Sequence, residues 1–75
     1  MKSKIKLFVI ERVKTRRHEL GMSQRYLADC LNVSHSFIQQ IEDPETNAAY
    51  NLDHLNEIAK VFKCSLKYFM PDQPL

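Results

Sequence analysis

Apolar residues recur along this chain at helical spacing, in short blocks separated by Ser, Asn, Gly and Pro. Two such blocks follow each other closely between Met22 and Glu42, in MSQRYLADCLNVSHSFIQQIE. In the first, Tyr26, Leu27 and Leu31 surround the small Ala28. In the second, Ile38 and Ile41 stand three apart with Phe37 beside them. Ser23 and Ser34 occupy N-cap positions, which predicts helices over Gln24–Leu31 and His35–Glu42. Ala28 lets a crossing helix come close. Asn32 tolerates the left-handed conformation of a tight turn, and Val33 plugs the angle between the two helices.

The rest of the chain reads as a small bundle around that pair. A first helix is expected from about Ile5 to Leu20, with Ile5, Val9, Val13 and Leu20 near one face and Phe8 and Ile10 beside it. Arg17 falls on this apolar face, an odd place for a surface charge. Gly21 supplies the left-handed residue that ends the helix. Lys4-Ile5-Lys6-Leu7 alternates with period two, which leaves a short strand open there. After Glu42, Pro44 stops the helix, and Glu45-Thr46-Asn47 has turn character. Asn51 caps a helix over Leu52–Phe62 with a core stripe of Leu52, Leu55, Ile58, Ala59 and Phe62. Asp53 sits well against its N-terminal dipole. Ser65 caps a last short helix, Leu66–Phe69, burying Leu66 and Phe69. The expected fold is all-α: a compact five-helix bundle forming a single domain over 1–75, with its core in 9–70, a short N-terminal extension 1–8 and a tail 71–75.

Composition narrows the class. An apolar share of 44% with 27% charged residues suits a soluble globule and not a disordered tail. The net charge of +2 is compatible with a nucleic-acid partner but does not establish one. Its distribution says more: Lys2, Lys4, Lys6, Arg12, Lys14, Arg16, Arg17 and Arg25 crowd the first third. The apolar run Leu7 to Ile10 is too short for a signal or membrane segment. A cytoplasmic location with Cys30 and Cys64 reduced is therefore expected. His18, His35 and His54 have no metal-ligand spacing with the cysteines, and no cofactor or small-molecule ligand is evident. Enzyme chemistry finds little footing. Cys30 with His35 is the only tempting pair, and nothing acidic orients His35.

The chemistry on offer lies on the outer face of the helix His35–Glu42. His35, Ser36, Gln39 and Gln40 give it hydrogen-bonding groups without charge, where a solvated helix more often carries Lys and Glu. Gln39 and Gln40 can each donate and accept a hydrogen bond. The bland alternative is a plain solvated face.

The chain resembles the Cro and phage-repressor type of helix-turn-helix domain, the XRE-like family. The resemblance rests on Arg17, Gly21-Met22-Ser23-Gln24, Leu27-Ala28, Asn32-Val33-Ser34, Ile38, Ile41-Glu42, Leu55, Ile58-Ala59 and Cys64-Ser65-Leu66. It implies a lambda-repressor-like bundle that binds double-stranded DNA sequence-specifically as a homodimer, with the third helix in the major groove. On that basis His35, Ser36, Gln39 and Gln40 are candidates for base contact. Gln24, Arg25 and Asn47 are candidates for phosphate contact, and Arg17 with Glu42 for a buried structural ion pair. One departure matters. Where many members carry a Gly and a basic residue after Glu42, this chain has Asp43-Pro44-Glu45, and two carboxylates repel phosphate. The alternative expectation is therefore a protein-interaction module, such as an antitoxin-like partner, that keeps the fold with weak or no DNA binding.

Overall fold

The structure, a computed structural model, describes residues 1–75. Its elements are α1 (Lys4–Glu19), α2 (Gln24–Leu31), α3 (His35–Glu42), α4 (Leu52–Phe62) and a closing 3-10 turn, Leu66–Phe69. Every element starts at a side-chain cap. Ser3, Ser23, Ser34, Asn51 and Ser65 each accept a hydrogen bond from a backbone N–H of the first turn. Each such cap typically contributes about 1 kcal/mol. At α4 the cap is reciprocal: His54 Nδ1 accepts from the Asn51 N–H at 3.1 Å while Asn51 Oδ1 accepts from the His54 N–H at 2.8 Å. Ser3 settles the beginning of the chain as helix, so the strand that residues 4–7 left open does not form.

Three helices end in the same way. Gly21, Asn32 and Lys63 take left-handed φ values of 70°, 56° and 55°. The chain then folds back, with Met22 N–H on Arg17 O, Val33 N–H on Ala28 O and Cys64 N–H on Ala59 O, each at 3.0 Å. These are Schellman closures, which satisfy carbonyls that a helix end leaves open.

The helices bury one continuous core. Val9 and Val13 of α1, Leu27 and Ala28 of α2, Ile38 of α3, and Leu55, Ile58, Ala59 and Phe62 of α4 meet Phe69 from the last turn. The Phe62 and Phe69 rings meet nearly edge to face, 6.2 Å apart. Through this packing α2 and α3 lie against each other, with α1 and α4 behind them.

Several sequence expectations need correction. The fifth helix is a single 3-10 turn: four residues close through short i to i+3 bonds, and Pro71 then blocks continuation. The fold is thus four α-helices and a turn. Leu52 is 76% exposed, because it is the first residue of α4 and the stripe turns inward only at Leu55. Leu66, also the first residue of its element, is exposed as well, as are Ile5 and Leu20 at the two ends of α1. Helical periodicity finds the correct face but not where along the helix the bundle stops covering it.

Candidate nucleic-acid interface

The site is built on an ion pair. Arg17 reaches from the inner face of α1 to Glu42 in the last turn of α3. Nε donates to Oε2 at 3.1 Å and Nη2 to Oε1 at 2.9 Å. Both side chains are 5% exposed. The guanidinium is used further: Nη1 donates to Met22 O at 2.8 Å, and Nη2 approaches His18 Nε2 at 3.0 Å. One arginine therefore ties the end of α1, the start of the α1–α2 connection and α3 together. The planar fork of five donors is suited to this.

Glu42 carries the network to the surface. Its Oε1 also accepts from Gln24 Nε2 at 2.9 Å, and Gln24 Oε1 lies 3.3 Å from His35 Nε2. The N-terminal residue of α2 is thus hydrogen-bonded to both ends of α3. The side-chain amide of Gln24, a phosphate candidate in the sequence, is engaged within the protein. At that end, the free backbone N–H groups of the first turn remain for an anion.

The outer face of α3 is otherwise uncommitted. Gln39 and Gln40 are exposed, and their amides make no hydrogen bond within the chain; Ser36 is exposed and touches only Ser34 Oγ, at 3.2 Å. His35 is half-buried at the first position of the helix. Arg25 is exposed and unpaired on α2. Arg12 and Arg16 are held elsewhere: Arg12 lies over the Phe8 and Tyr68 rings at 5.0 and 5.4 Å, and Arg16 pairs with Glu19 at 3.2 Å.

The far end of α3 holds what sequence reasoning missed. Here the helix has no Schellman closure, since Asp43 is extended and Pro44 follows. Instead Lys2, only 5% exposed, inserts its ammonium among the open carbonyls. Nζ donates to Asp43 O, to Thr46 O at 2.8 Å, to Thr46 Oγ1 at 3.0 Å and, more weakly, to Gln40 O at 3.4 Å. The Thr46 hydroxyl in turn donates to Gln40 O. A cation at this end also suits the helix dipole. Asn47, a third phosphate candidate beside Gln24 and Arg25, is exposed, and its Oδ1 accepts from the Met1 ammonium at 2.6 Å. In the sequence Lys2 reads as one more surface lysine beside Lys4 and Lys6, and nothing local marks it as buried.

Tyr50 was also hidden. Its hydroxyl is the one buried side-chain polar atom without a partner. Burial raises the phenol well above the ordinary tyrosine value, and the neighbouring Glu42 raises it further while Arg17 opposes. Both thiols are free, with Cys30 exposed and Cys64 half-buried. Burial pushes the Cys64 thiol up, against a smaller opposite effect of Arg16. No helix is long and apolar enough to cross a membrane.

A paired α2–α3 unit with a capped turn and an uncharged hydrogen-bonding outer face is the architecture of a helix-turn-helix DNA-binding domain. The chain belongs to the helix-turn-helix family of the XRE type, whose profile matches residues 13–69. Solved structures place it further. A mutant of the restriction-modification controller protein C.Esp1396I is 32% identical, with a TM-score of 0.75 over 92% of this chain and 85% of that one. The P22 c2 repressor, solved in complex with a synthetic operator, is 30% identical, with a TM-score of 0.69 over 88% of this chain and 97% of that one. The HppE enzyme in its cobalt form with substrate is 25% identical, with a TM-score of 0.76 over 91% of this chain. This chain spans only 37% of the HppE chain. No curated protein matches.

Proposed function

We propose that the chain binds double-stranded DNA sequence-specifically as a small, repressor-like transcriptional regulator. It acts as a homodimer that places α3 of each copy in the major groove, about 34 Å apart on successive turns. The observation that carries this reading is the outer face of α3. Gln39 and Gln40 are exposed amides with no partner in the chain, on a helix fixed at both ends. Unsatisfied two-way hydrogen-bonding groups on a rigid helix suit the donor and acceptor pattern of base edges. His35 and Ser36 extend that face toward the helix N-terminus. Arg25 and the first turn of α2 supply phosphate contacts that set the register. The operator complex of the P22 c2 repressor, in which 97% of the solved chain is matched, supports the same use of the fold. We read the chain as non-enzymatic and cytoplasmic. The metal and substrate bound by HppE belong to a chain of which this one spans only 37%.

Selection of bound sequences from a random duplex pool tests this. A palindromic consensus with half-sites one helical turn apart is expected, and Gln39→Ala is expected to relax the preference at one position in each half-site. Binding that ignores sequence and is unchanged by Gln39→Ala would overturn it. A second reading is favoured by one observation: Asp43 and Glu45 are exposed at the end of α3, where phosphates would approach. In that reading the domain is an antitoxin-like protein-interaction module with weak or no DNA binding. One stoichiometric protein partner and no retention on any duplex would decide for it.

A further inference from the structure

Glu42 dictates which ring nitrogen of His35 carries the proton. A carboxylate held by Arg17 is ionised and can only accept, so the Gln24 atom 2.9 Å from Glu42 Oε1 must be the amide nitrogen. Gln24 Oε1 then faces His35 Nε2 at 3.3 Å and is itself only an acceptor. Nε2 must therefore carry a hydrogen. In the neutral ring the remaining nitrogen, Nδ1, is a bare acceptor. It makes no hydrogen bond within the chain, and it is not sealed from solvent, since Tyr50 Oη is the one buried side-chain atom left unpaired.

We propose that the chain Arg17–Glu42–Gln24 makes His35 a specificity-determining acceptor, so that of each base pair it can engage only the base that carries the exocyclic amine. This rests on the DNA-binding reading above. In the major groove only adenine, through its 6-amino group, and cytosine, through its 4-amino group, donate a hydrogen bond. The guanine edge and the thymine edge present acceptors, which face the Nδ1 lone pair without a proton between them. His35 sits at the first position of α3, and the N-terminal residues of such helices are the ones that reach base edges. Specificity at that position is thus set one hydrogen bond further back, by Gln24, which need not touch the base. Without Gln24 the imidazole is free to move its proton to Nδ1 and accept guanine or thymine as well.

Two measurements test this on the whole chain. The first is nitrogen-15 NMR of the His35 ring without DNA, well above the ordinary histidine titration range. A protonated Nε2 and a bare Nδ1 are expected in the native protein, with averaging between the two forms in Gln24→Ala. A proton on Nδ1, or averaging already in the native protein, overturns the proposal. The second takes the base position whose preference is lost in His35→Ala but kept in Gln39→Ala. At that pair the native protein is expected to lose about fivefold in affinity when the exocyclic amine alone is removed by a base analogue. In Gln24→Ala the same analogue should cost much less. Native affinity unchanged by removal of that amine overturns the inference while leaving DNA reading intact. Failure of every duplex to bind removes the reading on which it rests.

Discussion

Arg17 and Glu42 meet fork to fork across 25 residues of sequence, each side chain 5% exposed. Neither charge has water to fall back on. Removing one partner strands the other, so Glu42→Ala and Arg17→Ala are each expected to cost about 3–5 kcal/mol in urea unfolding. Replacing both together by apolar residues of similar volume should recover most of that loss. Stability and DNA binding should then separate: the apolar pair folds, but Gln24 no longer has a carboxylate to orient it.

Lys2 gives a second test. Lys2→Met keeps the length of the side chain and removes the donor from the carbonyls of Asp43 and Thr46. A loss of about 1–3 kcal/mol is expected, the range for leaving buried acceptors unpaired. Amide exchange should speed up around Asp43 to Thr46 and the last turn of α3. Exchange unchanged there, with normal stability, would show that the ammonium contributes nothing.

Tyr50 predicts a pH dependence. Its phenol is raised in the folded protein, first by burial and then by Glu42. The folded state therefore holds its proton where the unfolded chain releases it. The stability linked to this group is fully present below the unfolded tyrosine value of about 10 and declines as pH rises beyond it. Tyr50→Phe should flatten that decline in urea midpoints taken at increasing alkaline pH. At neutral pH the substitution should be nearly neutral or stabilising, because the hydroxyl it removes has no partner.

The acidic loop is open to a charge test. Asp43→Asn with Glu45→Gln removes two exposed carboxylates and keeps an acceptor for the Glu45 N–H, which Asp43 Oδ1 holds at 2.9 Å. Duplex binding should tighten severalfold at low salt, and the gain should shrink as salt screens the surface. Unchanged affinity at low salt would mean that phosphates do not pass this loop.

Local signals made α2, α3 and α4 legible in the sequence. Their observed bounds coincide with the expected ones because Ser23, Ser34 and Asn51 cap in place and Asn32 and Lys63 adopt the left-handed turn. Arg17 was visible as a charge on an apolar face. Lys2 was not, because its partners lie 38 to 44 residues away and no period or motif links them. Gln24 was recognisable as a residue of the interface, but its attachment to Glu42 and His35 depends on how α2 and α3 cross, which composition and spacing do not encode. Leu52 misled because the stripe it belongs to continues past the point where the bundle covers it.

The closure of α3 bears on how the domain could be reused. Residues 22–42 look like a portable reading head, with caps and a turn of their own. Yet the last turn of α3 is finished by Lys2 and Thr46, both outside that stretch. Grafted onto another scaffold without them, the segment would carry its Ser23 and Ser34 starts intact but fray at Gln40 and Ile41. The transferable unit begins at the second residue of the chain.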